Sequence, residues 1–458
     1  MQFIVDFFSY ISALGVTVIM PIIITILGLA LGAGLGKSLR AGLMVGVGFV
    51  GLFLVINNLL GTTLAPAVQT MVERFGLKLS VIDVGWPAAA AIAMGSQVGI
   101  FIIPIGLLVN FIMLFTNTTQ TVNVDIWNYW HFAFTGSLVA IATNNFYLGV
   151  AAAVINMILV MVLGDVTAPL VEESLGLQGV SLPHGFTIAF APIAMAVNWV
   201  IDRIPGLNKI DFKLEEFQER FGVVGEPVFL GTIIGIIIGF FAYGVSLDSL
   251  KVVLPLGVSL GAVLVLIPKM AALLMEGLIP ISDMASEFIQ KHYANRGKIY
   301  IGLDSAVGTG HPTTLALSLI LVPLTILLAF IIPGNQVLPF ADLAVIPYML
   351  VLITPIVKSN GFRGLIVGII VLASGLLIAT NLAPFITEAA KQVGFAIPAG
   401  ASLISSICDG ANPLSWLLFH GFSSIGYIGI AVLGVVALGA AYYNRVRILK
   451  EAKQLQAK

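Results

Sequence analysis

The polar side chains that interrupt long apolar runs are the first candidates for chemistry: Asp83, Trp86, Gln97, Asn144, Asn145, His184, Glu226, Asp304, Thr309, His311, Asp409 and Asn412. A polar group surrounded by hydrocarbon needs a partner or an aqueous cavity. Carboxylates gathered closely would suit an ion, whereas a mixture of Asn, Gln, His and Asp beside an aromatic face suits a ligand with many hydroxyls. The set is of the second kind. His184 and Asp304 are the pair expected to act catalytically, at the reacting end of such a ligand. His184 stands between Pro183 and Gly185 at the head of an apolar segment, and Asp304 precedes the broken run S-A-V-G-T-G-H-P. An ionised Asp can orient and help deprotonate a hydroxyl; a His can hydrogen-bond the adjacent one or shuttle the proton. The others are expected to bind substrate, with a plain helix–helix hydrogen bond as each one's competing use. Asp202, Arg203 and Asp342 are expected at span ends.

Other suggestive motifs fail on their own chemistry. G-A-G-L-G-K-S at 32–38 lacks the glycine that a phosphate-binding loop needs, because Leu31 stands there, and it follows an apolar helix rather than a strand. It reads as a turn of small residues. Cys408 is the single cysteine, which excludes a disulfide framework or a multi-thiolate metal site. Between Lys391 and Arg445 there is no Lys or Arg to hold a phosphate dianion on it, so it reads as a buried small hydrophobe. The chain has no H-E-x-x-H or comparable run, and neither metal nor cofactor is expected.

The elements that must position these residues are membrane helices. Of the 458 residues 59% are hydrophobic and 9% charged, far below the roughly 25% charge of a wetted soluble surface. Net charge of −1 gives no reason to expect nucleic acid. Apolar segments long enough to cross hydrocarbon run at 10–33, 41–63, 97–117, 146–166, 185–201, 228–247, 251–268, 315–333, 340–357, 361–381 and 421–443. The stretches 84–95, 131–143 and 398–418 are interrupted by Gly, Pro or Asn and can be spans, half-spans or re-entrant hairpins. An all-α polytopic membrane protein follows, with about eleven crossings, two re-entrant hairpins and amphipathic helices. Residues 1–34 read as a retained helix, because no charged segment and small-residue cleavage site precede the first span.

Basic residues gather on the cytoplasmic side. Arg445, Arg447, Lys450, Lys453 and Lys458 put the tail at 444–458 inside, and Lys209, Lys213 and Arg220 mark a cytoplasmic loop at 205–227. The N-terminus is then external. The two halves, 10–204 and 228–443, share an arrangement: two spans, an amphipathic stretch (64–82 and 269–298), then an aspartate and a Gly/Pro-broken run (Asp83 with V-G-W-P; Asp304 with S-A-V-G-T-G-H-P). The charges put the two amphipathic stretches on opposite sides, which predicts an inverted repeat. A competing echo pairs G-L-M-V-G at 42–46 with G-L-I-V-G at 364–368.

The ordered set V-D-I-W-N-Y-W-H-F (124–132), D-V-G-W-P (83–87), L-P-H-G-F (182–186), G-E-P (225–227) and G-T-G-H-P (308–312) resembles the galactitol-type enzyme IIC of the bacterial sugar phosphotransferase system. The ascorbate transporters are the related branch. The resemblance covers essentially the full chain. It implies a homodimeric permease of the bacterial cytoplasmic (inner) membrane, with a scaffold and a moving, elevator-like core, carrying a polyol inward. It also implies separate IIA and IIB partners and a phosphate carried on a IIB cysteine, not on Cys408. Phosphorylation adds nearly two negative charges, so return through a neutral polyol site becomes costly. An ion-coupled secondary transporter is the leading alternative, and a membrane transferase acting on lipid a more remote one.

Overall fold

The computed structural model describes residues 16–456 apart from 56–57, 60–62, 64–65, 68–69, 72–73, 75–78, 124, 211–225, 294–298, 310 and 399–400. The expected loop at 205–227, the first amphipathic stretch at 64–82 and the end of the second therefore fall largely outside the described residues, as does the N-terminus. Among the described residues six helices are long and apolar enough to cross a membrane: Gln97–Phe115, Phe146–Leu175, Gly185–Arg203, Pro312–Ile331, Gly361–Gln392 and Tyr427–Lys453. The protein is a mostly helical, polytopic membrane protein.

Four further helices, Val16–Ala30, Leu35–Val55, Pro227–Tyr243 and Leu250–Tyr293, pack chiefly on one another. Small residues allow the close approach: a methyl added at Gly235 would lie 2.7 Å from Gly257 Cα on the facing helix. The expected span 251–268 and the stretch after it are one 44-residue helix. The nucleotide-loop lookalike is the turn between the first two of these helices, with Gly32 at φ 89°.

Two sequence expectations need correction. The chain is not purely helical, for among the described residues six short strands form two three-stranded parallel sheets: β1 (Val81–Asp83), β2 (Thr121–Asn123), β3 (Val180–Ser181), β4 (Tyr300–Gly302), β5 (Val337–Leu338) and β6 (Leu403–Ser405). Their orders are β5-β1-β6 and β2-β4-β3. The apolar run 340–357 is not a continuous helix but short turns, Ala341–Val345, Ile346–Leu350 and Ile353–Ile356. Pro347 and Pro355 lack the N–H that a helical ladder needs, and protein buries the segment nearly throughout.

Each sheet takes its central strand from one half of the chain and both edges from the other. Exchanging β1, β2 and β3 with β4, β5 and β6 converts one strand order into the other. Non-helical backbone at membrane depth must have its polar groups satisfied by protein, and helix side chains do this at the sheet edges. Asn110 donates to Thr121 O (2.9 Å) and accepts from Asn123 N (3.0 Å). The fully buried Asp165 accepts from Gln120 N (3.0 Å) and Thr121 Oγ1 (2.6 Å). In the other sheet Thr387 Oγ1 accepts from Ile404 N at 2.9 Å.

Candidate functional site

Each of these six strands is followed by a helical turn after at most three intervening residues, so each sheet presents the C-terminal ends of parallel strands and the N-terminal ends of helices. Both favour polar ligands, through free backbone N–H groups and aligned dipoles. At the first sheet these groups are used internally. Asp83 accepts from Gly85 N (3.1 Å) and Asp342 N (2.8 Å). Asp342 accepts from Trp86 N (2.6 Å), Ser406 Oγ (2.5 Å) and Cys408 N (3.1 Å). Gly85 makes the turn possible with φ 84°, a conformation that side chains disfavour. Asp342 is therefore not a span end: it is fully buried and ties together the segments leaving β1, β5 and β6.

At the second sheet the arrangement is more open. Asp304 Oδ1 accepts from Ala306 N (2.8 Å), and Asn128 Nδ2 donates to Asp304 Oδ2 (3.0 Å) and also to Asp125. His184 caps the helix Gly185–Ala189, its Nδ1 accepting from Thr187 N at 3.3 Å. The Asp304 side chain keeps 20% exposure, and its Oδ1 lies 3.7 Å from His184 Nε2.

The segments leaving the two sheets meet at His131, on the helix Trp130–Thr143 that follows β2. His131 Nδ1 is 2.7 Å from Asp409 Oδ2, and its Nε2 is 3.3 Å from His184 Nε2. Asn412 Nδ2 donates to Gly185 O and to Asp409 Oδ1, both at 3.1 Å. Gly185 is required for this approach, since a methyl there would lie 2.5 Å from His131 Cβ. Alongside runs an aromatic row: Trp86 stacks on Trp130 (6.4 Å between centroids, 27° between planes), and Trp130 contacts His131 at 4.0 Å. Trp130 Nε1 is a buried donor with no acceptor among the described residues. The arrangement can surround a hydroxylated ligand with carboxylate, imidazole, amide and indole groups.

The structure thus brings Asp304, His184, Asp409, Asn412 and Trp86 together, with Asp83 directly behind them. It does not gather Gln97, Asn144, Asn145 or Glu226. Gln97 is exposed at the start of its helix. Asn144 ends the helix Trp130–Thr143 in left-handed backbone, and Asn145 caps the next helix and donates to Tyr427 Oη (2.7 Å). Glu226 is exposed at the N-terminus of Pro227–Tyr243. Thr309 bonds to Ala306 O (2.8 Å), and His311 stands at the position before Pro312–Ile331, both on the Asp304 segment. His131, Cys408 and Asp409 each offer one potential metal-ligand atom within 4.8 Å of the others, but the His131–Asp409 hydrogen bond already engages two of the three.

Comparison with known proteins decides what this arrangement belongs to. Residues 10–400 match EIIC-GAT, the PTS system sugar-specific permease component. The chain belongs to this family. The permease is 40% identical over 452 residues to the PTS system galactitol-specific EIIC component of Escherichia coli (strain K12), covering 98% of each chain. It is 39% identical over 444 residues to a putative permease IIC component of the same organism, covering 97% of this chain and 100% of that one. The permease is accordingly a multi-pass protein of the inner membrane, a IIC component that works with separate IIA and IIB proteins.

Several of the permease's clustered residues were not singled out from sequence. Asp125, Asn128, Trp130 and His131 all lie within V-D-I-W-N-Y-W-H-F, a stretch that in the sequence carries only the family resemblance. Its density of Asp, Asn, Trp and His just before an apolar helix was the available signal.

Proposed function

We propose that this permease translocates galactitol, or a closely similar polyol, inward and presents it to a phosphorylated IIB protein that transfers phosphate to one hydroxyl. The observation that carries this reading is the meeting of the two sheets' exits. There Asp304, partly exposed, faces His184, which in turn contacts His131 beside the Trp86–Trp130 row. Polyol hydroxyls suit these donors and acceptors, the C–H faces suit the indoles, and the unpaired Trp130 N–H suits a ligand oxygen. Asp304 is the group suited to take the hydroxyl proton, with His184 on the adjacent hydroxyl. Asp83 acts from behind by holding the first sheet's turns.

Transport in this reading is an elevator-like movement. Residues 10–204 and 228–443 form an inverted repeat, supported by the exchange relation between the two strand orders and aligning Asp83 with Asp304. The segments 84–95 and 398–418 act as re-entrant hairpins, in a chain of about eleven crossings. The four mutually packed helices act as scaffold, in a homodimer, and the sheet-bearing remainder moves. The C-terminus and the 205–227 loop are cytoplasmic; reporters fused at Gln218 and Lys458 that both read external would overturn this topology.

The deciding experiment reconstitutes the protein in vesicles with radiolabelled galactitol. Binding without accumulation is expected until phosphorylated IIB is supplied, after which the phosphate ester appears inside. Accumulation driven by a proton or sodium gradient alone would instead support ion-coupled transport.

A further inference from the structure

We propose that His131 is a positioning residue. Backed by Asp409, it accepts the Nε2–H of His184, which leaves His184 as a hydrogen-bond donor and Asp304 as the acceptor of the reacting hydroxyl's proton. The inference rests on the phosphoryl-transfer reading above and assigns the roles within it.

The Thr187 backbone N–H can only donate and lies 3.3 Å from His184 Nδ1, whereas the Thr187 hydroxyl, 3.1 Å from the same nitrogen, can donate or accept and also bonds to Tyr348 O and Ser305 Oγ; we take Nδ1 as the acceptor of the backbone N–H. A neutral His184 then carries its proton on Nε2. That proton faces His131 Nε2 at 3.3 Å, which must supply a lone pair, so the His131 proton sits on Nδ1. Nδ1 in turn faces Asp409 Oδ2 at 2.7 Å, an acceptor held by Asn412 at its other oxygen. With both rings neutral and Asp409 accepting, this one proton arrangement serves the Asp409, His131–His184 and Thr187 N–H contacts, the Thr187 hydroxyl donating to Tyr348 O, and it runs in one direction from the second sheet's exit to the first.

This narrows what each group can do. His184 cannot shuttle the proton, because its only lone pair is engaged at the N-terminus of Gly185–Ala189. Its Nε2–H has two nearby acceptors, His131 at 3.3 Å and Asp304 Oδ1 at 3.7 Å. The second is too long for a hydrogen bond. His131 thus keeps the His184 proton off Asp304, which stays open to the reacting hydroxyl's proton, while the adjacent hydroxyl can share the His184 Nε2–H with His131. In the transfer step the hydroxyl O–H bond breaks and its proton passes to Asp304. The oxygen forms the new O–P bond, and the P–S bond to the donor protein's cysteine breaks, its electron pair leaving on sulfur.

Two measurements on the full-length protein test this. In nanodiscs containing 15N-histidine-labelled wild type, His184 is expected as the Nε2-protonated tautomer and His131 as the Nδ1-protonated one. The reverse tautomer at either residue would overturn the proposal. For galactitol phosphorylation by phosphorylated IIB, His131→Phe keeps a ring but no acceptor. It is expected to lower kcat by roughly 10-fold or more while KM stays within about threefold. His131→Gln, which restores an acceptor near the former Nε2, should return kcat to within about threefold of wild type. Equal losses in both variants, or an unchanged His131→Phe, would also overturn it. Should His131→Phe fail to fold, the wild-type tautomers and His131→Gln decide. Wild-type protein that cannot support galactitol phosphorylation would strike the proposed function instead, and the tautomers would still stand as the test of the positioning role.

Discussion

The two sheets use one device to different ends. In each, the segment leaving the central strand carries an aspartate that pairs with a second acidic residue on the exit of an edge strand: Asp83 with Asp342, and Asp304 with Asp125. At the first sheet both carboxylates are almost wholly buried, and their oxygens face backbone N–H groups and one serine hydroxyl. At the second, an amide side chain, Asn128, bridges the pair, and Asp304 keeps partial exposure and an unfilled approach to His184. A carboxylate whose lone pairs are taken by its own backbone holds a fold together, whereas one left partly open can meet a substrate. In the proposed function this contrast gives Asp83 a structural part and Asp304 a chemical one, although their sequence surroundings look alike.

The strongest way to break this contrast is to exchange the two effects by mutation. Asp304→Asn should lower IIB-dependent polyol phosphorylation by about 100-fold, a typical general-base contribution, while binding stays within about tenfold, or roughly 1.4 kcal/mol. Equal losses in both would make Asp304 a uniform binding group. Asp83→Ala should act on stability instead, by about 2–3 kcal/mol, because it strands buried amide donors. Thermal unfolding should report this, with phosphorylation per folded molecule within about threefold of wild type. A stability loss from Asp304→Ala as large as that from Asp83→Ala would erase the distinction.

A smaller effect probes the junction between the sheets. Gly185→Ala drives a methyl to 2.5 Å from His131 Cβ and should cost about 1–3 kcal/mol as overpacking, visible as weaker polyol binding in equilibrium titrations. The smallest effect sharpens the boundary of the site. Gln97→Ala, at an exposed helix start away from the meeting point, should change binding and phosphorylation by less than about twofold, and a tenfold loss would extend the site to that helix.

Much of the architecture was legible because hydrocarbon imposes simple demands. Helices Gln97–Phe115, Phe146–Leu175 and Gly361–Gln392 coincide with apolar runs, since only such runs can cross a bilayer. The segment 340–357 looks like a span in the sequence for the same reason: hydropathy cannot tell lipid from a protein interior, and its two prolines are the local sign of a broken helix. The strands were hidden because two or three residues show no alternation to detect. Asp165 and Asn110, polar residues inside apolar helices, went unassigned because their partners are strand edges that the sequence does not reveal.

His184 and Asp304 were identifiable by local grammar, since each sits where a broken apolar run begins, as helix-capping residues do. Their neighbours were not identifiable in that way. His131 reaches Asp409 across 278 positions, and Asp342 reaches Asp83 across 259. By itself the sequence determined that the chain is a membrane protein, where most of its helices run, and which residues stand at its breaks, because these follow from hydrophobicity and backbone chemistry within a few turns. Only the tertiary structure decided which carboxylate is closed and which is open. That depends on which backbone N–H groups from distant segments fold onto each oxygen, a property of the interleaved sheets that no stretch of sequence carries alone.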